Sequence, residues 1–219
     1  MAKTILKIGH RGAKGYVAEN TLASFQKALE LGVDMIELDV QNSKDFIPMV
    51  IHDKTIDRTT SGNGLVNDFS AMDLHEFGIP SLEEVFQLVK NKCRINIEIK
   101  EFEAVKSVLD VINSNTFSKD NILISSFDWN ALQEIRFHDD AISIGVLTEP
   151  NLEIAIAFAK FIKAKSIHPN FQLLTKETTL KIKEKGFQVF PWTVNEMEDI
   201  LKMKSFLVDG IISDFPDRI

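Results

Sequence analysis

Short apolar runs punctuate the chain, separated by longer stretches with amphipathic spacing. The runs are residues 5–9 (ILKIG), 35–40 (MIELDV), 47–52 (IPMVIH), 94–100 (RINIEIK), 121–125 (NILIS), 142–147 (ISIGVL), 165–169 (KSIHP), 187–192 (FQVFPW) and 210–213 (GIIS). Their length and composition predict strands. Segments such as 21–32 and 176–186 predict helices that stop at Gly32 and Gly186. Strands alternating with helices imply βα units and a parallel sheet.

Nine strand runs are one too many for an eight-stranded βα barrel. The six residues between Val40 and Ile47 cannot make a parallel crossover, which needs a dozen or more. Residues 35–40 and 47–52 are therefore expected to form a hairpin. A turn centred between Lys44 and Asp45 would set Asp39 opposite Val50 and Glu37 opposite His52. The expected fold is α/β: a TIM-type (β/α)8 barrel with a small hairpin and an insert, residues 53–80, after its second strand. Only Phe215 to Ile219 follow the last run, so the final helix should be reduced to a turn. Residues 1–219 read as one domain, at the short end for such a barrel.

Composition narrows the function. The chain is 44% hydrophobic and 26% charged, as ordinary globular proteins are, and its net charge of −7 argues against a nucleic-acid binder. It does not exclude an anionic substrate held by a few local cations. The single cysteine, Cys93, reads as a buried core residue. The N-terminal segment regains charge too early for a secretion signal, and the longest apolar run, 154–159, falls far short of the roughly 20 residues of a membrane span. A cytoplasmic chain without stable membrane insertion is the expectation, and its oligomeric state is open.

Chemistry collects at the C-terminal ends of the strand runs, where βα barrels build their active sites. His10-Arg11, Glu37 and Asp39, His52-Asp53, Glu98 and Lys100, His168, Trp192 and Ser213-Asp214 all fall there. Glu37 and Asp39, two apart on a strand, share a face, as do Glu98 and Lys100. Carboxylates gathered in a barrel repel one another and are costly to desolvate. Either a hard divalent cation such as Mg²⁺ or Ca²⁺ relieves that repulsion, or the carboxylates pair with Arg11 and Lys100. His75 and His138 lie in polar helix-like stretches and read as surface residues. Trp129 and most of the 16 phenylalanines read as packing.

The ordered set His10-Arg11-Gly12, Glu19-Asn20-Thr21, Glu37-Leu38-Asp39, His52-Asp53, Glu98-Ile99-Lys100 and Gly210-Ile211-Ile212-Ser213-Asp214 resembles the glycerophosphodiester phosphodiesterases. So do Asp57-Arg58-Thr59-Thr60, Pro80-Ser81-Leu82-Glu83-Glu84-Val85, Ser125-Ser126-Phe127 and Thr193-Val194-Asn195. The resemblance, from Ile8 to Pro216, implies the barrel shared with phosphoinositide-specific phospholipases C. It implies that Glu37, Asp39 and Glu98 hold a divalent cation (Mg²⁺, Ca²⁺ or Mn²⁺). His10 and His52 become the acid–base pair, Arg11 and Lys100 phosphate ligands, His168 a pocket-facing polar residue and Trp192 a wall for glycerol. The substrate it implies is a small glycerophosphodiester such as glycerophosphocholine or glycerophosphoethanolamine, cleaved to sn-glycerol 3-phosphate and an alcohol.

Two positions depart from the family pattern. Ala18 replaces the usual proline before Glu-Asn-Thr, and Phe46 replaces the usual hairpin glycine. Phe46 either packs or covers the site mouth. Two other readings compete. A lysophospholipase D-like enzyme would call for an apolar rim, whereas the insert disperses Phe69, Met72, Leu74 and Phe77 among charges. A non-catalytic glycerol-phosphate-binding barrel would be expected to have lost a histidine or a carboxylate, and all are present.

Overall fold

The computed structural model describes residues 4–219. Met1, Ala2 and Lys3, the start of the segment read as no secretion signal, lie outside the described residues. All nine runs form strands: β1 (Leu6–Gly9), β2 (Met35–Asn42), β3 (Pro48–Val50), β4 (Arg94–Ile99), β5 (Ile122–Ser126), β6 (Ser143–Thr148), β7 (Ser166–Pro169), β8 (Gln188–Val189) and β9 (Gly210–Ser213). Eight of them run parallel in the order β8-β7-β6-β5-β4-β2-β1-β9, and β3 pairs antiparallel with β2. The ends of that order meet where Asp209 N donates to Val189 O and Ile212 N to Pro191 O, both at 3.0 Å.

Helices α1 (Leu22–Glu30), α3 (Leu82–Val89), α4 (Ala104–Ser114), α5 (Trp129–His138), α6 (Leu152–Phe161), α7 (Lys176–Glu184) and α8 (Met197–Ser205) make the crossovers, and α2 (Ala71–Glu76) belongs to the insert. After β9 only a 3₁₀ turn at Pro216–Arg218 follows, as the short tail requires. The family stretches around α1 and α3 have structural work. Thr21 caps α1 by accepting from Ser24 N at 3.1 Å. Ser81 and Glu84 form a reciprocal capping box at the start of α3. Thr21 therefore fixes the helix, while the two residues before it face the barrel rim.

The hairpin register differs by one residue from expectation. Val50 lies opposite Val40 rather than Asp39. The loop is Lys44-Asp45-Phe46, closed by Ser43 N donating to Ile47 O at 3.0 Å, and Phe46 takes a left-handed φ of 59°. Three-residue hairpin loops commonly end on such a left-handed residue, so the turn centres on Asp45. His52 consequently does not sit opposite Glu37. It lies past the ladder, with its carbonyl held by Gln41 Nε2 at 2.9 Å. Phe46 itself is 68% exposed, so it neither packs into the core nor lines the central cavity.

Between barrel and helices lies the main core, which includes Phe25, Phe86, Val85 and Ile97. The insert has a smaller core of its own around Met49, Ile56, Val66 and Leu74. Inside the barrel a third cluster of Ile8, Met35, Leu123, Phe190 and Ile212 forms an apolar plug. Cys93 is buried, which pushes its thiol up to about 11, and Trp129 stacks on Phe158, as their readings anticipated. His75 and His138 are surface residues bonded to Glu84 and Glu134.

Candidate active site

Above the plug the barrel opens into a cavity of about 120 Å³. Its lining includes His10, Arg11, Glu37, His52, Glu98, Lys100 and Trp192, seven of the nine residues singled out for the site. Asp39 stands directly behind, buried and paired in register with Glu98. His52 also borders a wider groove of about 630 Å³ running past Lys14, Tyr16, Thr59 and Phe77.

His168 is the exception. It is wholly buried, outside the cavity lining, with Nε2 2.8 Å from Ser166 Oγ and Nδ1 without a hydrogen-bond partner among the described residues. Burial pushes its pKa down to about 3, so the ring is neutral. A Cβ on Gly145 of β6 would collide with its Nε2, so the absence of a side chain there gives the imidazole its place. Trp192 joins this group, donating from Nε1 to the His168 carbonyl at 2.8 Å and meeting Phe127 edge-on at 5.4 Å.

The two rim histidines are held in the same way. His10 Nδ1 is 2.6 Å from Asp214 Oδ1, and His52 Nδ1 is 2.6 Å from Asp53 Oδ1. With Nδ1 engaged, Nε2 is the nitrogen left for chemistry in both rings. Each aspartate is braced in turn. Asn195 Nδ2 donates to Asp214 Oδ2 at 2.8 Å. Arg58 grips both oxygens of Asp53, at 2.6 and 3.1 Å. Burial lowers the His10 pKa, with Asp214 opposing and Arg11 assisting. The Arg58 contact leads in bringing Asp53 down to about 2.

Local backbone geometry brings the end of β1 to the site. Arg11 has φ 51° and Gly12 φ 88°, and a Cβ on Gly12 would collide with Ser24 of α1. That sharp turn aims Arg11 N at Glu37 Oε2, 2.9 Å away, and sends the guanidinium to Glu19 Oε1 at 2.7 Å and Asp39 Oδ2 at 3.1 Å. Asn20, also left-handed at φ 56°, donates from Nδ2 to Asp39 Oδ2 at 2.9 Å. Such conformations in residues other than glycine are costly and tend to gather at functional sites.

Oxygens of Glu37, Asp39 and Glu98 lie within 4.8 Å of one another. Of the two arrangements considered for the carboxylates, the pairing is partly realised: Lys100 Nζ sits 2.6 Å from Glu98 Oε1 and 3.5 Å from Asp39 Oδ1. Pairing does not remove the repulsion. Burial of Asp39 opposes its ionisation, but Arg11, Lys100 and His52 outweigh that and hold it below the usual carboxylate range. Burial, then the charge of Asp39, pushes Glu98 up to about 7 and Glu37 well above its ordinary value. Three buried oxygen donors with excess negative charge fit a hard divalent cation.

Sequence reasoning found the histidines, carboxylates and cations but gave no role to their braces, Asp53, Asp214, Arg58, Asn195 and Asn20. The signal for Asp214 was available. In a closed barrel the first and last strands are neighbours, and Gly9 pairs with Ser213, which sets His10 beside Asp214.

A model of the glycerophosphoryl diester phosphodiesterase family matches residues 10–218. The chain is 37% identical to the glycerophosphodiester phosphodiesterase of Caldanaerobacter subterraneus subsp. tengcongensis, over 98% of this chain and 96% of that one. It superposes on a glycerophosphodiester phosphodiesterase structure from Thermotoga maritima with a TM-score of 0.87 and 32% identity, covering 98% and 96% of the two chains. An Oleispira antarctica phosphodiesterase in complex with its product sn-glycerol-3-phosphate gives a TM-score of 0.90 at 27% identity, covering 97% and 94%. Fold and site thus define a TIM-barrel phosphodiesterase. The chain belongs to the glycerophosphoryl diester phosphodiesterase family and is an enzyme of that activity.

Proposed function

We propose that the enzyme hydrolyses small glycerophosphodiesters, such as glycerophosphocholine and glycerophosphoethanolamine, to sn-glycerol 3-phosphate and the free alcohol, in a divalent-cation-dependent reaction. The observation that carries this reading is that both braced histidines border one cavity whose lining also includes Glu37, Glu98 and two cations, with Asp39 behind it. Glu37, Asp39 and Glu98 would hold the cation, Mg²⁺, Ca²⁺ or Mn²⁺. When bound, it supplies positive charge to the phosphate oxygens.

Arg11 and Lys100 bind the same phosphate, the guanidinium through two N–H groups and the ammonium as a point charge. One histidine takes the proton of the glycerol hydroxyl next to the phosphate as that oxygen bonds to phosphorus. The other gives a proton to the departing alcohol oxygen. Water then opens the cyclic phosphodiester with the roles reversed, leaving sn-glycerol 3-phosphate. Such acid–base catalysis is worth roughly 10²–10⁴-fold. Trp192 walls the glycerol, His168 supports that wall from behind, and the groove beyond His52 gives the leaving alcohol room. The buried lone cysteine suits a cytoplasmic setting.

The test is glycerol 3-phosphate release from glycerophosphocholine by metal-stripped protein, before and after adding back Mg²⁺, Ca²⁺ or Mn²⁺. Release only with added ion supports the reading. No release with any ion, on either substrate, sinks it.

A further inference from the structure

Two buried polar atoms on the cavity floor take no part in the machinery above. Asn96 on β4 and Ser125 on β5 both line the cavity, at 1% and 0% exposure. Asn96 Oδ1 and Ser125 Oγ have no hydrogen-bond partner among the described residues. Strand register sets Asn96 beside Glu37 and Ser125 beside Glu98. Beneath them lies the apolar plug of Ile8, Met35, Leu123, Phe190 and Ile212, which offers no polar group. Burying polar atoms unpaired is costly, so the floor is built for a partner that enters from the cavity.

We propose that Asn96 Oδ1 and Ser125 Oγ recognise the free primary hydroxyl of the substrate's glycerol and make the enzyme selective for fully deacylated glycerophosphodiesters. The inference rests on the reading just given. With the phosphate at the rim between Arg11 and Lys100, the three-carbon chain points its far end downward, and its terminal hydroxyl reaches deepest. A hydroxyl is both donor and acceptor. It can donate to Asn96 Oδ1 while accepting from Ser125 Oγ–H. The side walls, Phe127, Leu147 and Trp192, suit the carbon chain.

An acyl ester on that oxygen removes the donor and brings a chain that the packed plug under the 120 Å³ chamber does not admit. A site built to bond a hydroxyl discriminates strongly against an analogue that lacks it, because its own buried groups are then left unpaired. These two residues thus separate the reaction from lysophospholipid hydrolysis.

The test is a cycle of two substrates and three proteins. Wild type, Ser125→Ala and Asn96→Ala are assayed on glycerophosphocholine and on its analogue with hydrogen in place of the primary hydroxyl. Wild type should lose about tenfold or more in kcat/KM on the analogue, the equivalent of one hydrogen bond. Each variant should lose a similar factor on glycerophosphocholine and little further on the analogue. Ser125→Ala is nearly isosteric, and the comparison of substrates on wild type needs no variant.

Equal losses on both substrates would mean that the floor serves the fold, the metal site or an internal water, and would overturn the inference alone. So would a wild type indifferent to the missing hydroxyl. Wild type inactive on glycerophosphocholine in every metal would overturn the underlying reading and this inference with it.

Discussion

Arg58 Nη2 stands 2.7 Å from Glu19 Oε1, the same oxygen that accepts from Arg11 Nη1 at 2.7 Å. Because Arg58 also grips Asp53, a continuous line of charges runs from His52 through Asp53, Arg58 and Glu19 to Arg11 and Asp39. It joins the insert to the turn after β1. Arg58 is about half exposed, so its ion pairs contribute little stability. Their value lies in positioning.

Arg58→Ala should therefore lower kcat on the order of 10–100-fold while shifting the melting temperature little. Arg58→Lys should recover only part of the loss, since an ammonium cannot span both carboxylates in the planar grip of a guanidinium. Steady-state kinetics with thermal unfolding on the same samples checks this. Full activity in Arg58→Ala would reduce the line of charges to a surface feature.

The histidines make the sharper prediction. His10→Ala and His52→Ala should each lose roughly 10²–10⁴-fold in kcat with circular dichroism unchanged. Asp214→Asn should also lower kcat, with KM for glycerophosphocholine little altered, because an amide can donate to Nδ1 and turn the ring to the wrong tautomer. Unchanged turnover in either alanine variant would remove that residue from the acid–base pair.

Metal removal should expose the repulsion at the rim. Glu98 takes its proton at about 7 rather than 4.5, so the metal-stripped folded state holds a proton that the unfolded chain has released. Stability therefore falls as pH rises from 4.5 to 7, by about 3 kcal/mol from this group. Denaturation in chelator at pH 5 and 8 should show this slope in wild type and a flatter one in Glu98→Gln. Adding Mg²⁺ or Mn²⁺ at pH 8 should raise the wild-type melting temperature more than that of the variant. Parallel slopes in the two proteins would count against it.

His168 should act in the opposite sense. Its folded pKa of about 3 lies below the ordinary 6.5, so as pH falls through 6.5 the unfolded chain takes up a proton that the folded state refuses. Stability is lost toward acid, by about 2 kcal/mol at pH 5 relative to neutral pH. His168→Gln, which can keep a bond to Ser166, should lose less stability than wild type between pH 7 and 5. An identical loss in both proteins would show that the ring does charge where it sits.

What the sequence made legible was periodicity and where chemistry interrupted it. All nine strand runs were visible, and ionisable residues at their ends marked the rim because an eight-stranded barrel points successive strand ends the same way. Registers were harder. The hairpin slipped by one because Phe46 adopts a left-handed conformation that its residue type does not advertise. His168 lies at a strand end like the others, yet how deep a ring sinks depends on its neighbour, and it was the bare Gly145 across the strand pair that drew it out of the cavity lining. The braces were hidden because a brace is defined by a partner far along the chain. Asp214 is 204 residues from the ring it orients.

That separation has a biosynthetic consequence. β1 is made early and β9 late, and His10 acquires Asp214 only when the two strands lie side by side. A growing chain that has already laid down both histidines and Glu37, Asp39 and Glu98 still lacks the group that sets one imidazole. Full turnover in this protein is thus a report on closure: the seam that joins the first strand to the last also supplies the group that orients His10.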